Sequence, residues 1–347
     1  MPAYDNLRPG VYSRYDITSY YTTPRSQKYA AVVAKANGGE PGTVYHFTGY
    51  AEACEVFLPD TEGKTMLGCL RVLFASGVSG VVAAAVQEDY ETALEQIAEV
   101  DNIGAVVCDA AEPASLSLLR QSVEKSAREL RERVAFCGLD TASAAIAAAQ
   151  ALNSERAVLA CPASAAVGGT LKAAAYTAAA LAGAVLTQSD SAQNYNGFPL
   201  GCIQEPEKLA EADIQLLLAA GVSVVESVNG APELIRALTT KTQTGGVSDR
   251  SLCPLNTILI IDEVLSGVRG SLKLRLRGAR LASHSLESVR SQVLVELDAF
   301  RQNGIIESFL PPNVYGDSAD PSVCVVELAF KVAHVLSQIH ITAHIQV

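Results

Sequence analysis

Two short fragments of the sequence have residue types that could bind and hydrolyse a nucleotide. The fragment Gly63-Lys64-Thr65 matches the end of a phosphate-binding loop, and the run from Ile258 to Glu263 resembles a strand that carries a magnesium-binding carboxylate. A phosphate-binding loop also needs a glycine five positions before its second glycine, because its backbone N–H groups must reach the anion. Leu58 occupies that position. A structural turn is therefore favoured here, with a degenerate P-loop ATPase kept as the alternative.

The residues around both fragments argue against a nucleotide site. The loop before Gly63 contains a proline, which lacks an N–H donor, and two carboxylates, Asp60 and Glu62, which repel phosphate. The second fragment has the periodicity of a helix rather than a strand. Apolar and polar residues fall on opposite faces of this predicted helix: Ile258, Ile261, Leu265, Val268 and Leu272 against Asp262, Ser266, Arg269 and Lys273.

The sequence also lacks an assembled nucleophile and base. The turn from Gly168 to Leu171 has leucine where a nucleophilic hydroxyl would stand, and the five histidines are scattered. Cys161 follows the apolar run from Ala157 to Ala160, which is typical of a buried thiol. His340 and His344 would lie about 13 Å apart along a strand, too far to share a metal. We therefore expect no catalytic, cofactor-binding or metal-binding residues.

Composition indicates a folded protein with an acidic surface. Of its 347 residues, 49% are hydrophobic and 18% are charged, which excludes intrinsic disorder. The formal net charge of −11 disfavours nucleic acid and anionic membrane surfaces as partners. The longest apolar stretch, Ala173 to Leu186, is too short for a membrane span. Eight scattered cysteines without CxxC pairs are typical of buried free thiols in a reducing compartment.

From Tyr29 onward, short β-rich runs alternate with helical stretches, which is typical of an α/β protein. The strands are nearly continuous apolar runs, as expected where helices cover both faces of a mainly parallel sheet. The pattern predicts one α/β unit with a helical end. The predicted strands cover residues 30–33, 80–86, 104–108, 133–137, 157–160 and 222–226, and the predicted helices cover 88–100, 114–130, 141–152, 170–182, 208–220, 256–277 and 286–303.

Both ends of the sequence lack this alternation of β-rich and helical stretches. Residues 1–28 are rich in tyrosine and β-branched side chains, which favours extended structure. Residues 339–347 alternate between apolar and polar, the pattern of a half-buried strand. Each end could pair with its own sheet or donate a strand to a neighbouring subunit. The candidate strand residues are Val11, Tyr12, Tyr15, Ile17, Tyr21, Ile339, Ile341, Ala343, Ile345 and Val347.

Positive charge is concentrated between Val268 and Arg290, where six cations accompany one acid, Glu287. On a helix, Arg269, Lys273 and Arg277 recur every four residues and share one face. Such a face is either simply solvated, with cations near the helix C-terminus, or it binds an acidic partner. The six cations are Arg269, Lys273, Arg275, Arg277, Arg280 and Arg290.

Seven stretches together resemble the tail sheath proteins of contractile phage tails, tailocins and contractile injection systems. Each stretch is short, and their order and spacing along the chain carry the resemblance. They are Arg8 to Tyr12, Leu159 to Pro162 with the Ala-rich helix from Thr170 to Gly183, Asn194 to Leu200, Leu216 to Val222, Val228 to Gly230, Leu238 to Thr242, and Leu255 to Asp262.

The resemblance implies a structural protein rather than an enzyme. Sheath subunits stack as hexameric rings around an inner tube and contract to drive it through a cell envelope. The family's core is subtilisin-like without the catalytic residues, and its terminal arms complete sheets shared between subunits. The implied organisation is an N-terminal arm at 1–28, an α/β core at 29–335 and a C-terminal strand arm at 336–347.

The resemblance also implies partners and a location. The expected partners are other copies of the chain, the inner tube protein, and baseplate and tail terminator proteins. The protein would be made in a bacterial host cytoplasm and assembled into the tail of a virion or tailocin-like particle. Arg269, Lys273, Arg277 and Arg280 would then face an acidic tube. A cytosolic α/β enzyme and an oligomeric binding module that forms closed rings are the alternatives.

Overall fold

The computed structural model describes residues 28–40, 42–87, 89–275, 283–319 and 323–335. The candidate terminal strands, and Arg277 and Arg280, lie outside the described residues. In the described part, the helices are α1 (Tyr50–Val56), α2 (Met66–Ala75), α3 (Glu91–Ala98), α4 (Pro113–Arg128), α5 (Ala142–Leu152), α6 (Ala174–Thr187), α7 (Glu211–Ala220), α8 (Leu255–Arg275) and α9 (Ser283–Gln302). The strands there are β1 (Tyr29–Lys35), β2 (Asn37–Gly38), β3 (Val44–Phe47), β4 (Phe57–Leu58), β5 (Val81–Val86), β6 (Ile103–Cys108), β7 (Val134–Gly138), β8 (Ala157–Cys161), β9 (Ser164–Ala166), β10 (Lys172–Ala173), β11 (Phe198–Pro199), β12 (Ile203–Gln204), β13 (Val222–Val228), β14 (Ala231–Arg236), β15 (Gln243–Thr244), β16 (Val247–Ser248), β17 (Ile306–Phe309), β18 (Asn313–Gly316), β19 (Cys324–Glu327) and β20 (Phe330–Val332).

A nine-stranded, mainly parallel sheet forms the centre of the described chain, in the order β11, β14, β13, β8, β7, β6, β1, β5, β3. The six neighbouring strands from β13 to β5 run parallel, and β14, β11 and β3 pair antiparallel at the two edges. All six residues of β5 are apolar and buried, as a strand covered on both faces requires. The predicted α/β class with a mainly parallel sheet is confirmed.

Helices cover both faces of this sheet. Successive strand residues point to opposite faces, so β1 contributes Val32 to one core and Val33 to the other. The first core contains α2, α6 and the start of α8, and the second contains α3, α4, α5 and α7. Helix α6 approaches the sheet closely because its residues are small. A Cβ at Gly138, the last residue of β7, would lie 1.9 Å from the carbonyl oxygen of Ala174.

A third core lies beside the sheet and is built from α8, α9 and the strands that follow them. Val264 and Val268 of α8 pack with Val293 and Leu297 of α9. The same cluster includes Val314 of β18. Helix α8 therefore belongs to two cores, since its first turns lie in the first core and its middle lies in the third.

After α9 the chain forms a bent two-stranded ribbon. Strand β17 pairs antiparallel with β20, and β18 pairs antiparallel with β19. Between these stretches the N–H of Leu310 donates to the carbonyl of Ala329 at 2.8 Å, which makes the pairing continuous. Residues 306–316 and 324–332 are called the bent ribbon below. The predicted helical end is therefore wrong in part, because two helices are followed by strands.

The predicted strands and helices of the core match observed elements within a few residues at most ends. Two expectations about burial are corrected. Cys54 is exposed and Cys324 is half-buried, whereas the other six thiols are buried as predicted. Asp262, predicted on the polar face of α8, is buried because it binds an arginine of the sheet.

Candidate functional site

The crevice where an α/β sheet commonly binds a ligand lies at the carboxyl ends of β1 and β6. Helices α2 and α4, which follow these strands, pack on opposite faces, so the strand order reverses there. Asp109, directly after β6, accepts hydrogen bonds from the Lys35 N–H at 2.9 Å, the Thr65 hydroxyl at 3.0 Å and the Tyr90 hydroxyl at 2.9 Å. Burial raises the pKa of Asp109, and the three donors oppose this shift. The protein's own side chains therefore fill the crevice.

The N-terminus of α2 is the place where the fragment at 63–65 would present backbone N–H groups to a phosphate. Asp60 instead accepts hydrogen bonds there from the N–H groups of Leu67 at 2.9 Å and Gly68 at 2.6 Å. The Tyr176 hydroxyl donates to the same carboxylate at 2.9 Å. Burial raises the pKa of Asp60, and the hydrogen bonds oppose the shift. A carboxylate of the chain thus occupies the helix end that a phosphate would need.

The other parts of the sequence considered for catalysis or nucleotide binding also belong to helices and strands of the core. The run from Ile258 to Glu263 lies within α8 rather than in a strand. Cys161 is buried at the end of β8, and burial, followed by the charge of Asp140, raises the pKa of its thiol to about 12. The thiol is therefore protonated at neutral pH. Across the described ranges, no group of His, Cys, Asp or Glu side chains could hold a metal ion. None of the helices in those ranges is long and apolar enough to cross a membrane.

The bent ribbon is a described surface that could bind another strand. Ile306 and Val314 on its inner side are buried against α8 and α9, whereas Leu310 is 66% exposed and Tyr315 is 40% exposed. Among the described residues, no third strand pairs with either strand of the ribbon. Both of its edges therefore offer backbone N–H and C=O groups for pairing. Two strands alone are marginally stable in water, so an added strand would stabilise the ribbon.

Sequence reasoning missed this ribbon because its strands have only three or four residues each. A local signal existed in the β-branched and aromatic residues at 305–309 and 323–326, on either side of a proline pair. Runs this short do not distinguish a strand from a helix end by periodicity.

The structure describes two of the four cations predicted to face an acidic partner. Arg269 of α8 forms an ion pair with Glu132, whose side chain is only 9% exposed. Lys273, one turn further along α8, is exposed. In α9, Arg290 pairs with Glu287. The predicted basic face therefore contains one cation that is bound within the chain and one that faces solvent.

A second ion pair joins α8 to the sheet. Arg156, directly before β8, donates two hydrogen bonds to the carboxylate of Asp262, at 2.7 and 2.8 Å. Their side chains are 12% and 9% exposed. Burial alone would lower the pKa of Arg156, but the hydrogen bonds and charge of Asp262 outweigh it and raise that pKa. This polar contact holds α8 at the amino edge of the sheet.

Several solved structures share this arrangement over almost the whole chain. A chain of the anti-feeding prophage baseplate matches with a TM-score of 0.73 at 12% identity, over 99% of this chain and 100% of that chain. The sheath complex of the PVC extracellular contractile injection system, in its contracted state, matches with a TM-score of 0.72 at 14% identity, over 98% of both chains. The sheath tail protein of Desulfitobacterium hafniense matches with a TM-score of 0.68 at 10% identity, over 93% of this chain and 100% of that chain.

This chain has the fold of contractile sheath proteins. No protein-family model and no curated protein matches its sequence. The sheath fold is therefore established from the structure, across sequences that have diverged to 14% identity or less. The structural similarity also supports the resemblance that the seven sequence stretches carry.

Proposed function

We propose that this chain is the structural subunit of a contractile sheath. Copies would stack as hexameric rings around an inner tube, and contraction would drive the tube through a cell envelope. The observation that carries the proposal is the near-complete similarity in fold to chains of contractile injection systems and to a sheath tail protein. The partners would be other copies, the tube protein, and baseplate and terminator proteins of a virion or tailocin-like particle.

The filled crevice and the capped helix end support a structural role over the enzyme alternative. The two places where an α/β enzyme commonly binds a ligand hold Asp109 and Asp60, each surrounded by donors of the protein itself. The core would then be a subtilisin-like scaffold without catalytic residues, as the resemblance implies. The energy of contraction would come from assembly rather than from nucleotide turnover.

The subunits would be linked by exchanged strands. The arms at 1–28 and 336–347 would each contribute a strand, around Val11 to Tyr21 and Ile339 to Val347. The bent ribbon supports this proposal, because it has two unpaired edges in the part of the chain that is described. Main-chain hydrogen bonds depend little on the angle between the two globular bodies. The bodies could therefore rotate during contraction while the strands stay paired.

The basic end of α8 would contact an acidic inner tube. Lys273 is exposed and suited to this contact, with Arg277 and Arg280 following it in sequence. Arg269 would act differently, because its guanidinium already binds Glu132. It would hold the helix in place. Exposed ion pairs contribute about 0–1 kcal/mol each and are screened by salt, which suits a contact that must release during contraction.

Negative-stain electron microscopy of the purified full chain over a range of concentrations tests the proposed function. A sheath subunit should form long hollow polymers. Closed rings would instead support the binding-module alternative, and discrete particles with nucleotide turnover that Lys64→Ala abolishes would support the enzyme alternative.

A further inference from the structure

Two part-buried ion pairs of opposite polarity join α8 to the amino edge of the sheet. Asp262 supplies the anion of one pair and Arg269 supplies the cation of the other, seven residues later. Seven residues are two helical turns, about 10 Å, so both side chains lie on the same face of α8. Their partners, Arg156 and Glu132, precede the adjacent strands β8 and β7.

The alternation of charge makes these two contacts specific for one register. If α8 were displaced along the edge by two turns, Asp262 would approach Glu132 or Arg269 would approach Arg156. Like charges would then meet at sites where three of the four side chains are 12% exposed or less. Buried charges without an opposite partner are strongly disfavoured, so a displacement of α8 by two turns in either direction is disfavoured.

The two ion pairs also lie between two parts of the chain that the proposed function uses. The Lys28 ammonium donates to the backbone carbonyl of Glu132 at 3.2 Å, so the root of the N-terminal arm contacts the second pair. At the other side, α8 packs with α9 and the bent ribbon in the third core. Glu132 therefore contacts the arm root through its backbone and α8 through its side chain.

We propose that the pairs Arg156–Asp262 and Glu132–Arg269 form a register lock that fixes the bent ribbon relative to the root of the N-terminal arm. The lock makes two parts of one subunit move as a single body: the root of the N-terminal arm, which would donate a strand, and the bent ribbon, which would accept one. Its use in a sheath rests on the proposed function. The lock itself is a property of the single chain, and it is tested without any polymer.

Double electron–electron resonance on the dilute, unassembled full chain measures the orientation of the ribbon. One spin label is attached to the exposed native Cys54 in the α/β body, and a second is attached to Ser308→Cys on the ribbon, in a Cys324→Ser background. The test variant combines Asp262→Asn with Arg269→Gln. The matched control is Arg290→Gln, which removes an ion pair within α9 only.

We expect one narrow distance in the parent chain and in the control. The test variant should give a broadened or second distance, with about tenfold faster amide exchange in the ribbon and unchanged exchange in β1 and β6. An unchanged narrow distance in the test variant would overturn the proposal. If that variant fails to fold, it is replaced by a chain in which both pairs are apolar, Arg156→Met with Asp262→Leu and Glu132→Met with Arg269→Leu, since these side chains fill the space without charge. A narrow distance in this apolar variant would also overturn the lock, and a broad distance distribution would support it.

Polymer formation is scored separately by electron microscopy, so a failure of the proposed function is distinguished from a failure of the lock.

Discussion

The hydroxyl of Tyr176 donates a hydrogen bond to the carboxylate of Asp60 across 2.9 Å and so joins α6 to the N-terminus of α2. The same carboxylate accepts the N–H groups of Leu67 and Gly68, which are among the donors that a helix start leaves without an intrahelical partner. Gly68 also permits this approach, because a Cβ there would lie 2.4 Å from the Tyr176 ring. An arrangement that resembles part of a nucleotide site in sequence is thus a structural joint between two helices.

Replacing Asp60 should destabilise the fold. Asp60→Ala removes a helix cap and leaves the Tyr176 hydroxyl without its acceptor, which together should lower the free energy of unfolding by about 2–4 kcal/mol. Asp60→Asn keeps one acceptor oxygen and should cost less. Urea unfolding followed by circular dichroism measures both. The exposed Glu62→Ala is the control, and an equal, small effect of Asp60→Ala and Glu62→Ala would contradict this account.

The buried carboxylate of Asp109 should make stability depend on pH. Its pKa is raised from the ordinary value of 3.8 by burial. An acid with a higher pKa in the folded chain contributes stability that is complete below the unfolded-state pKa and is lost as the pH rises through the folded-state pKa. Asp109→Asn cannot ionise, so it should gain stability relative to the wild type as the pH rises above about 4, the unfolded-state pKa of an aspartate.

Urea unfolding of the wild type and Asp109→Asn at several pH values measures this difference. The exposed Glu95→Gln serves as the control. If the difference in the free energy of unfolding between Asp109→Asn and the wild type stays constant with pH, burial does not raise the pKa of the Asp109 carboxyl.

The central strands could be predicted from the sequence because a strand buried on both faces must be apolar throughout, as β5 is. Helix α2 was missed for a related reason. Most of its residues are apolar, and periodicity does not distinguish a buried helix from a buried strand. The burial of Asp262 was also missed, since its partner Arg156 lies 106 residues away and no local pattern reports such a contact. The sequence argued against a nucleotide site at 63–65, and the structure adds that Asp60 caps α2 there, a contact that no local pattern reports.

Thiol reactivity should single out one cysteine. Cys54 is exposed and Cys324 is half-buried, whereas Cys161 is buried with a pKa raised to about 12. A thiol reagent added to the folded, unassembled chain should therefore modify Cys54 rapidly, Cys324 slowly and Cys161 only after unfolding. Cys54→Ser should abolish the rapid phase. Rapid modification that persists in Cys54→Ser, with Cys161 identified by mass spectrometry, would refute the observed burial.

Charge reversal at the basic end of α8 should impair assembly on a tube. Lys273→Glu combined with Arg277→Glu should weaken co-assembly with the inner tube protein, most strongly at low salt, because each exposed contact is small and screened. The melting temperature should stay close to that of the wild type. Lys125→Glu on the exposed side of α4 is the matched control. Equal tube binding by the reversed variant and this control would argue against a tube-facing role.

Removing the last nine residues should prevent polymerisation without preventing folding. A chain that lacks residues 339–347 keeps all three described cores and should remain a folded monomer. It should not polymerise, because each exchanged strand supplies several backbone hydrogen bonds of about 0.5–1.5 kcal/mol each. Sedimentation velocity and thermal melting measure the two properties. Complete polymers from the truncated chain, or its unfolding, would contradict the exchange of this strand.

Cryo-electron microscopy of polymers formed by the full chain tests the sheath role and the exchange of strands together. We expect hollow tubes with six subunits per ring, in which strands from neighbouring copies pair with the edges of the bent ribbon at 306–316 and 324–332. Closed particles, or tubes in which both ribbon edges stay unpaired and each terminal segment pairs with its own sheet, would contradict this expectation.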